Sequence, residues 1–274
     1  VGLFEKYVSN LNRLLILTMV FATICVGSVL TLGVKKGIDL KGGTMVILRT
    51  EKDPDTVTGE ASRILGVSDV EAIRSSQGDV IVQVPKYLSA DDVNKLARAV
   101  EGEVESVQTV GPALGRVFWE SVKVAVPLAL VAVSIVVFAM FRKPMLSAAV
   151  LGALALDLVD ALGLMALTGV PLTLASFAGL LMIIGYAVDS NILLSMYTVK
   201  RRRVRTVDRA IADSFKTGIV MVATTAAAAC ALFLLSMSEA MFEIAAVVIF
   251  GLIADVLNTW IFNAWVIREK IVGR

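Results

Sequence analysis

The chain has 274 residues, 57% apolar and 18% charged, with two cysteines, no histidine and a formal net charge of +2. A mean hydropathy of +0.81 belongs to a membrane protein rather than a soluble core, and so small a net charge gives no footing for nucleic acid as a partner. Cys25 and Cys230 both lie in apolar runs, which excludes a disulfide framework or a zinc-type cluster, and no metal or cofactor is expected.

Residues 14–34 are uncharged between Arg13 and the pair Lys35-Lys36 and match the roughly 20 residues needed to cross the hydrocarbon. A cleaved signal peptide is the competing reading, but its apolar region usually runs about 7–15 residues. This segment is therefore taken as a first membrane span, with residues 1–36 as the N-terminal unit.

From Gly37 to about residue 120 charges of both signs return, and the periodicity becomes that of a folded domain. Met45–Arg49, Val70–Ile73, Val80–Val84 and Glu103–Thr109 read as strands, with Gln77-Gly78-Asp79 as a hairpin turn. Asp55–Leu65 and Ala90–Val100 read as amphipathic helices, the second capped by Ser89. The order strand, helix, strand, strand, helix, strand predicts an α+β domain of ferredoxin-like type.

Residues 121–274 carry five further apolar spans, at 124–141, 145–168, 171–198, 217–237 and 241–267. The whole is thus an α-helical membrane protein with six transmembrane helices and a ferredoxin-like domain between the first two. Arg142 and Lys143, the group Lys200, Arg201, Arg202, Arg203, Arg205, Arg209 and Lys216, and the tail residues Arg268, Lys270 and Arg274 all fall on one side, while the two short loops opposite carry no basic residue. Positive-inside bias then places both termini in the cytoplasm and residues 37–120 outside the cell. The arginine group reads as a topology anchor at an anionic membrane surface, with a partner-binding surface as the alternative. Val207, Ala210, Ile211, Ser214 and Phe215 recur at helical spacing, predicting a separate helix near 206–216 lying in the cytoplasmic interface.

Acids inside the spans carry the functional signal. Asp157 and Asp160 share a helix face in the third span, and Asp157 is about 20 Å from Pro144 at about 1.5 Å per residue. Asp189 lies in the fourth span with Asn191 two residues on, and Asp255 lies in the sixth with Asn258 a turn later. Ala175, Gly179, Met182, Tyr186 and Asp189 fall at three-and-four spacing, so Asp189 is expected to point into the bundle. A carboxyl group at mid-membrane costs about 2.5–3.5 kcal/mol on insertion scales, and such a residue faces a partner or a water path. Each acid taken alone could be a structural hydrogen-bonding group. Several at one depth, with no lysine or arginine among them, favour a proton or cation relay. Since the chain has no histidine, a proton carried near neutral pH must ride on these carboxyl groups, on water or on a partner chain. Ala226–Ala229, Gly152, Gly163, Gly179, Gly185 and Gly251 mark faces where helices approach closely.

Four short motifs resemble the SecF family, the smaller membrane subunit of SecD-SecF protein-export complexes, most of all in its archaeal form. Gly37-Ile38-Asp39-Leu40-Lys41-Gly42-Gly43-Thr44 is similar to the family's G-x-D-[FL]-x-G-G-T, and Val110-Gly111-Pro112-Ala113-Leu114-Gly115 to its V-G-P-x-[LV]-G. Asp157 with Gly163 and Gly169, and the segment Gly185-Tyr186-Ala187-Val188-Asp189-Ser190-Asn191, match the family's third and fourth spans. Bacterial members read G-Y-S-I-N-D-T there, placing their acid opposite Ser190, whereas Asp189 stands where the SecD subunit has the acid of V-D-A-N. Lys216 only loosely matches a basic residue at the start of the bacterial fifth span, one position off when the pair Thr224-Thr225 is aligned. The resemblance implies half of an RND-type helix bundle, a SecD subunit supplying the other half, a SecY-type channel as partner, and a translocating polypeptide as client.

No G-x-x-x-x-G-K-[ST] loop is present, so energy would come from an ion gradient, with Asp189 the first choice of relay group. Two other readings stand beside this one. Half of an RND-type exporter of small molecules or lipids would share the bundle. An intramembrane aspartyl protease needs two membrane aspartates, but the sequence around Asp189 is not G-x-G-D, and the chain is read as a non-enzyme.

Overall fold

The computed structural model describes residues 3–74, 78–200, 206–236 and 238–272. Gln77 of the expected hairpin turn, Arg201, Arg202, Arg203 and Arg205 of the basic group, and Arg274 lie outside the described residues. The chain divides into two compact units, one of Lys36–Val124 with Leu172–Leu174 and one of Val1–Lys35, Ala125–Pro171 and Ala175–Arg274.

The smaller unit has the expected ferredoxin-like order. A short helix α3 (Ile38–Lys41) leads into β1 (Gly43–Arg49), α4 (Pro54–Leu65), β2 (Glu71–Arg74), β3 (Val80–Val84), α5 (Ala90–Ala99) and β4 (Glu103–Val110). The sheet runs β2-β3-β1-β4, antiparallel throughout, with Val46 opposite Val82 and Val107. Alternation along the strands does the sorting: Val46, Leu48, Val80, Val82 and Val84 turn to one face and pack against Val57 and Ala61 of α4 and Val93, Leu96 and Val100. α4 starts at Pro54 behind the Asp53 cap and stops at left-handed Gly66.

α5 is opened by a capping box, in which the Ser89 hydroxyl accepts from the Asp92 amide and the Asp92 carboxylate accepts from the Ser89 amide. The Ser89 hydroxyl also donates to the Asp92 carboxylate at 2.9 Å, and this bond, followed by that from the Ser89 amide, holds the Asp92 carboxyl below the ordinary carboxylate range. A lowered folded-state pKa stabilises at pH above the ordinary value and is lost as pH falls through the folded one. Ser89→Ala is expected to cost α5 about 0.5–2 kcal/mol. Amide exchange at Asp91–Val93 should therefore quicken at neutral pH, and the difference from the parent chain should shrink under acid.

Among the described residues six helices are long and apolar enough to cross a membrane: Leu11–Thr31, Ala113–Phe141, Pro144–Thr168, Leu174–Val199, Val207–Leu235 and Glu239–Ile271. They belong to α2 (Leu11–Thr31), α6 (Pro112–Phe141), α7 (Pro144–Thr168), α8 (Leu174–Ser195), α9 (Val207–Leu235) and α10 (Glu239–Leu257). A short α1 (Leu3–Ser9) precedes them. α8 runs on as a π turn over Met196–Lys200. α10 continues through a π stretch Asn258–Asn263, then α11 (Ala264–Val266), then a second π stretch Ile267–Val272.

Two expectations are corrected. The second span is the end of a longer helix that starts at Pro112 and carries Pro127 inside it. No separate helix occupies 206–216, because those residues are the first turns of the 29-residue α9. The amphipathic spacing is real, but nothing between Thr206 and Leu235 breaks the helix, and the buried row Ala210, Ile211, Ser214 passes in phase to Gly218.

Candidate functional site

Three helices bring polar side chains together in the interior of the larger unit. α7 contributes Asp157 and Asp160, α8 contributes Ser190 and Asn191, and α10 with its π extension contributes Asp255, Asn258, Thr259 and Asn263. All eight are buried, and Asp157, Asp160, Asp255 and Asn258 are 0% exposed. A hydrocarbon surround gives such groups no solvent to bond to, so they must satisfy one another.

The bonds form two linked sets. The Asn258 amide donates to Asp157 Oδ1 at 3.1 Å and to Asp160 Oδ2 at 2.8 Å, using both its hydrogens. Asp255 Oδ1 accepts from the Ser190 hydroxyl at 2.6 Å and from the Thr259 hydroxyl at 2.7 Å. Thr259 in turn accepts from Asn191 at 2.7 Å, and Asn191 accepts from the Asn263 amide. Asp255, Thr259 and Asn263 are four apart, so the wide π turns keep them in one row. Asn258, three after Asp255, faces α7 and joins the two sets through its own backbone.

The bonds leave one side of each acid open. Asp157 Oδ2, Asp160 Oδ1, Asp255 Oδ2, Asn258 Oδ1 and Asn263 Oδ1 are buried with no hydrogen-bond donor among the described residues. These are oxygen acceptors, the atom type that takes up a proton or a hard cation. Among the described residues no three acid, cysteine or histidine side chains come close enough to chelate a metal ion. Three carboxyl groups in one buried network are chemically suited to gaining and losing a single positive charge.

Close helix approach sets this geometry. A side chain at Gly163 would overlap the backbone and Cβ of Cys25, so its absence lets α2 lie directly on α7. Ser28 donates to the Gly163 carbonyl at 3.0 Å, and the Cys25 thiol comes beside Asp160. Cys25 gave no polar signal in the sequence. Thr259 and Asn263 could have been found by stepping four residues at a time from Asp255.

Asp189 does not join the network, which corrects the expected orientation. The buried row of α8 is Ser176, Gly179, Leu180, Ile183, Ala187, Ser190, Asn191 and Leu194, and Asp189 is turned about 100° from Ser190. Asp189 and Gly185 are exposed on this chain. Met182, placed on the same inward stripe, is 58% exposed. Thr224 is exposed, bonded to carbonyls of its own helix, and Thr225 is half-buried, so neither reaches the acids.

The motif residues outside the spans hold the smaller unit together. The Gly37 amide donates to the Leu172 carbonyl at 2.8 Å. Asp39 sits in the first turn of α3, and Gly42 ends that helix at φ 78°. A side chain at Gly43, where φ is 143°, would overlap the Val84 carbonyl, and Thr44 Oγ1 accepts from the Leu88 amide at 3.0 Å. Gly111 precedes α6 and Pro112 opens it. At Gly115 the helix lies against the Leu40 carbonyl with no room for a Cβ.

Residues 91–271 match the family described as protein export membrane protein SecD/SecF, C-terminal, and residues 27–54 match the SecD/SecF GG motif. The chain is 95% identical over 273 residues to the protein-export membrane protein SecF of Methanopyrus kandleri, covering 100% of both chains. It is 38% identical over 247 residues to the SecF of Pyrococcus furiosus, covering 88% of this chain and 82% of that one. The fold is shared with the crystal structure of SecDF from Thermus thermophilus, at TM-score 0.80 and 22% identity over 100% of this chain. A second SecDF structure, in a super-membrane-facing form, gives TM-score 0.66 at 22% identity over 96% of this chain. The chain spans 40% of the first SecDF chain and 38% of the second.

Proposed function

Because this chain belongs to the SecD/SecF family of protein-export membrane proteins, we propose that it is a multi-pass accessory subunit of protein export. With a SecD partner it assists the passage of a polypeptide through a SecY-type channel, drawing on an ion gradient. The buried network of Asp157, Asp160, Asp255 and Asn258 is the observation that carries the gradient coupling. Uptake of a proton, or of sodium, by one of these carboxyl groups changes the charge between α7 and α10. Asn258 holds both Asp157 and Asp160, so a change at either shifts the balance of its two bonds. The helices repack, and the external domain moves with them.

Asp189 takes a different part in this reading. A carboxyl group turned outward within a span is costly against lipid, and the SecD subunit covers that face. There Asp189 passes the ion between the subunits, next to Ser190, which bonds the network acid Asp255. Both termini lie in the cytoplasm and residues 37–120 outside. Arg142, Lys143, Arg209, Lys216, Arg268 and Lys270 share the cytoplasmic side with anionic membrane lipids.

The test is affinity purification of the tagged chain from its native membranes in mild detergent. A SecD-type subunit and a SecY-type channel are expected to copurify. Recovery of an efflux-type partner in their place would overturn the assignment.

A further inference from the structure

A cluster at the other end of α6 is not used by the ion relay. Lys123 is the last charged residue before the uncharged run Val124–Phe141, which sets it at the edge of the hydrocarbon. Trp119 lies one turn earlier and Arg116 nearly one turn before that, so the three share a stripe about 10 Å long. Lys36 joins them from another part of the chain, its Nζ standing 5.2 Å from the centre of the Trp119 ring.

The position of Lys36 is built rather than incidental. Its backbone forms a parallel bridge with Leu172, and the next amide, of Gly37, donates to the Leu172 carbonyl at 2.8 Å. The Trp119 ring is itself set edge-on to Phe118, with centroids 5.5 Å apart, and Phe118 is buried. The ammonium is therefore held over a fixed indole face.

Lys36, Arg116 and Lys123 are all exposed, and among the described residues none of the three forms an ion pair with an acid. Glu120, four after Arg116 and three before Lys123, is exposed beside them, yet among the described residues it forms no ion pair with any of the three. Three cations against one acid around a tryptophan at the hydrocarbon edge leave a net positive patch, for which there are two roles. A water-facing charge needs no aromatic platform. An interfacial headgroup uses both, the ring sitting among the headgroups and the cations meeting the phosphate.

We propose that Lys36, Arg116 and Lys123, gathered around Trp119, form a binding site for the headgroup phosphate of an anionic phospholipid. Long side chains from a fixed backbone reach one phosphate from three directions. The acyl chains then enter the hydrocarbon past Val124, the residue after Lys123, which is 66% exposed.

The full chain, purified in a neutral detergent, is titrated with phosphatidylglycerol or phosphatidylcholine of matched acyl chains, and bound lipid is counted by native mass spectrometry. The parent chain is expected to prefer phosphatidylglycerol. The variant K36Q/R116Q/K123Q should lose at least about tenfold in that affinity, since each basic group near a membrane surface contributes about 1 kcal/mol, and should bind phosphatidylcholine unchanged. The charge-keeping variant K36R/R116K/K123R should retain the preference. As a control, R63Q/K95Q/R98Q removes three exposed charges from α4 and α5 and should also retain it. An undiminished preference in K36Q/R116Q/K123Q would overturn the proposal, as would an equal loss in the control or in the charge-keeping variant.

Discussion

Replacing Asn258 with leucine is expected to destabilise the helix bundle by about 2–6 kcal/mol. The amide donates to Asp157 and Asp160 at once, and all three side chains are fully buried. Each buried acceptor left without its donor costs about 1–3 kcal/mol, and more if it is charged. Lipid offers no replacement donor, so the loss is not recovered by relaxation toward solvent. The same rule predicts the rescue. Adding Asp157→Leu and Asp160→Leu removes the orphaned acceptors, and apolar groups in place of both partners are close to neutral. Thermal unfolding of the purified chain, followed by tryptophan fluorescence, should show a large fall for the single variant and recovery of most of it for the triple one. A single variant as stable as the parent would mean that the Asn258 bonds are not made.

Trp260→Ala is expected to cost about 3 kcal/mol, toward the lower end of the range for such truncations, because lipid rather than water is the alternative environment. Trp260 is 1% exposed and sits in a cluster with Val8, Leu11, Leu146, Leu194 and Ile211. Its ring lies 5.6 Å from that of Phe215, which stacks on Tyr7 at 4.4 Å, and the Tyr7 hydroxyl donates to the Trp260 carbonyl. That carbonyl belongs to the π stretch, where the helical ladder is irregular and an outside donor is welcome. α9 makes room for the ring at Gly218, where any Cβ would overlap it. Gly218→Val alone should therefore also destabilise. Gly218→Val combined with Trp260→Ala should be more stable than the sum of the two losses, since the new side chain enters the space the indole leaves. Strict additivity in unfolding measurements would contradict this packing.

The parts of this protein legible in its sequence were those with a strong period or a strong length signal. Val80–Val84 alternates and became a strand with Val80, Val82 and Val84 on the core face. Ser89 announced the N-cap of a helix, and it caps α5, where the structure adds the reciprocal bond from Asp92. The spans were countable because hydrocarbon thickness fixes their length. Facing was not legible in α8. That helix is apolar on nearly every side, so a stripe through Gly179 and Asp189 was no better marked than the stripe through Gly179 and Ser190 that is in fact buried. The acids of α7 and α10 were visible as residues, but their shared donor was not. Asn258 lies 98 residues from Asp160, and only helix packing brings them together. Cys25 came to Asp160 through the missing side chain of Gly163, a contact that single-residue chemistry does not announce. The segment 206–216 is no separate helix for the opposite reason: its amphipathic spacing marks one face of a longer helix, and no breaker separates it from the span that follows.

The most direct test of the relay is protein export into vesicles that carry the chain with its SecD partner, measured with and without an imposed ion gradient. For Asp157→Asn and Asp255→Asn, which keep size and hydrogen-bonding capacity but cannot gain or lose the charge, export in the absence of the gradient and copurification with SecD should be unchanged. The stimulation by the gradient should be gone. Stimulation equal to that of the parent chain in the Asp157→Asn/Asp255→Asn double variant would contradict the account and move the coupling group to Asp189 or to the partner subunit.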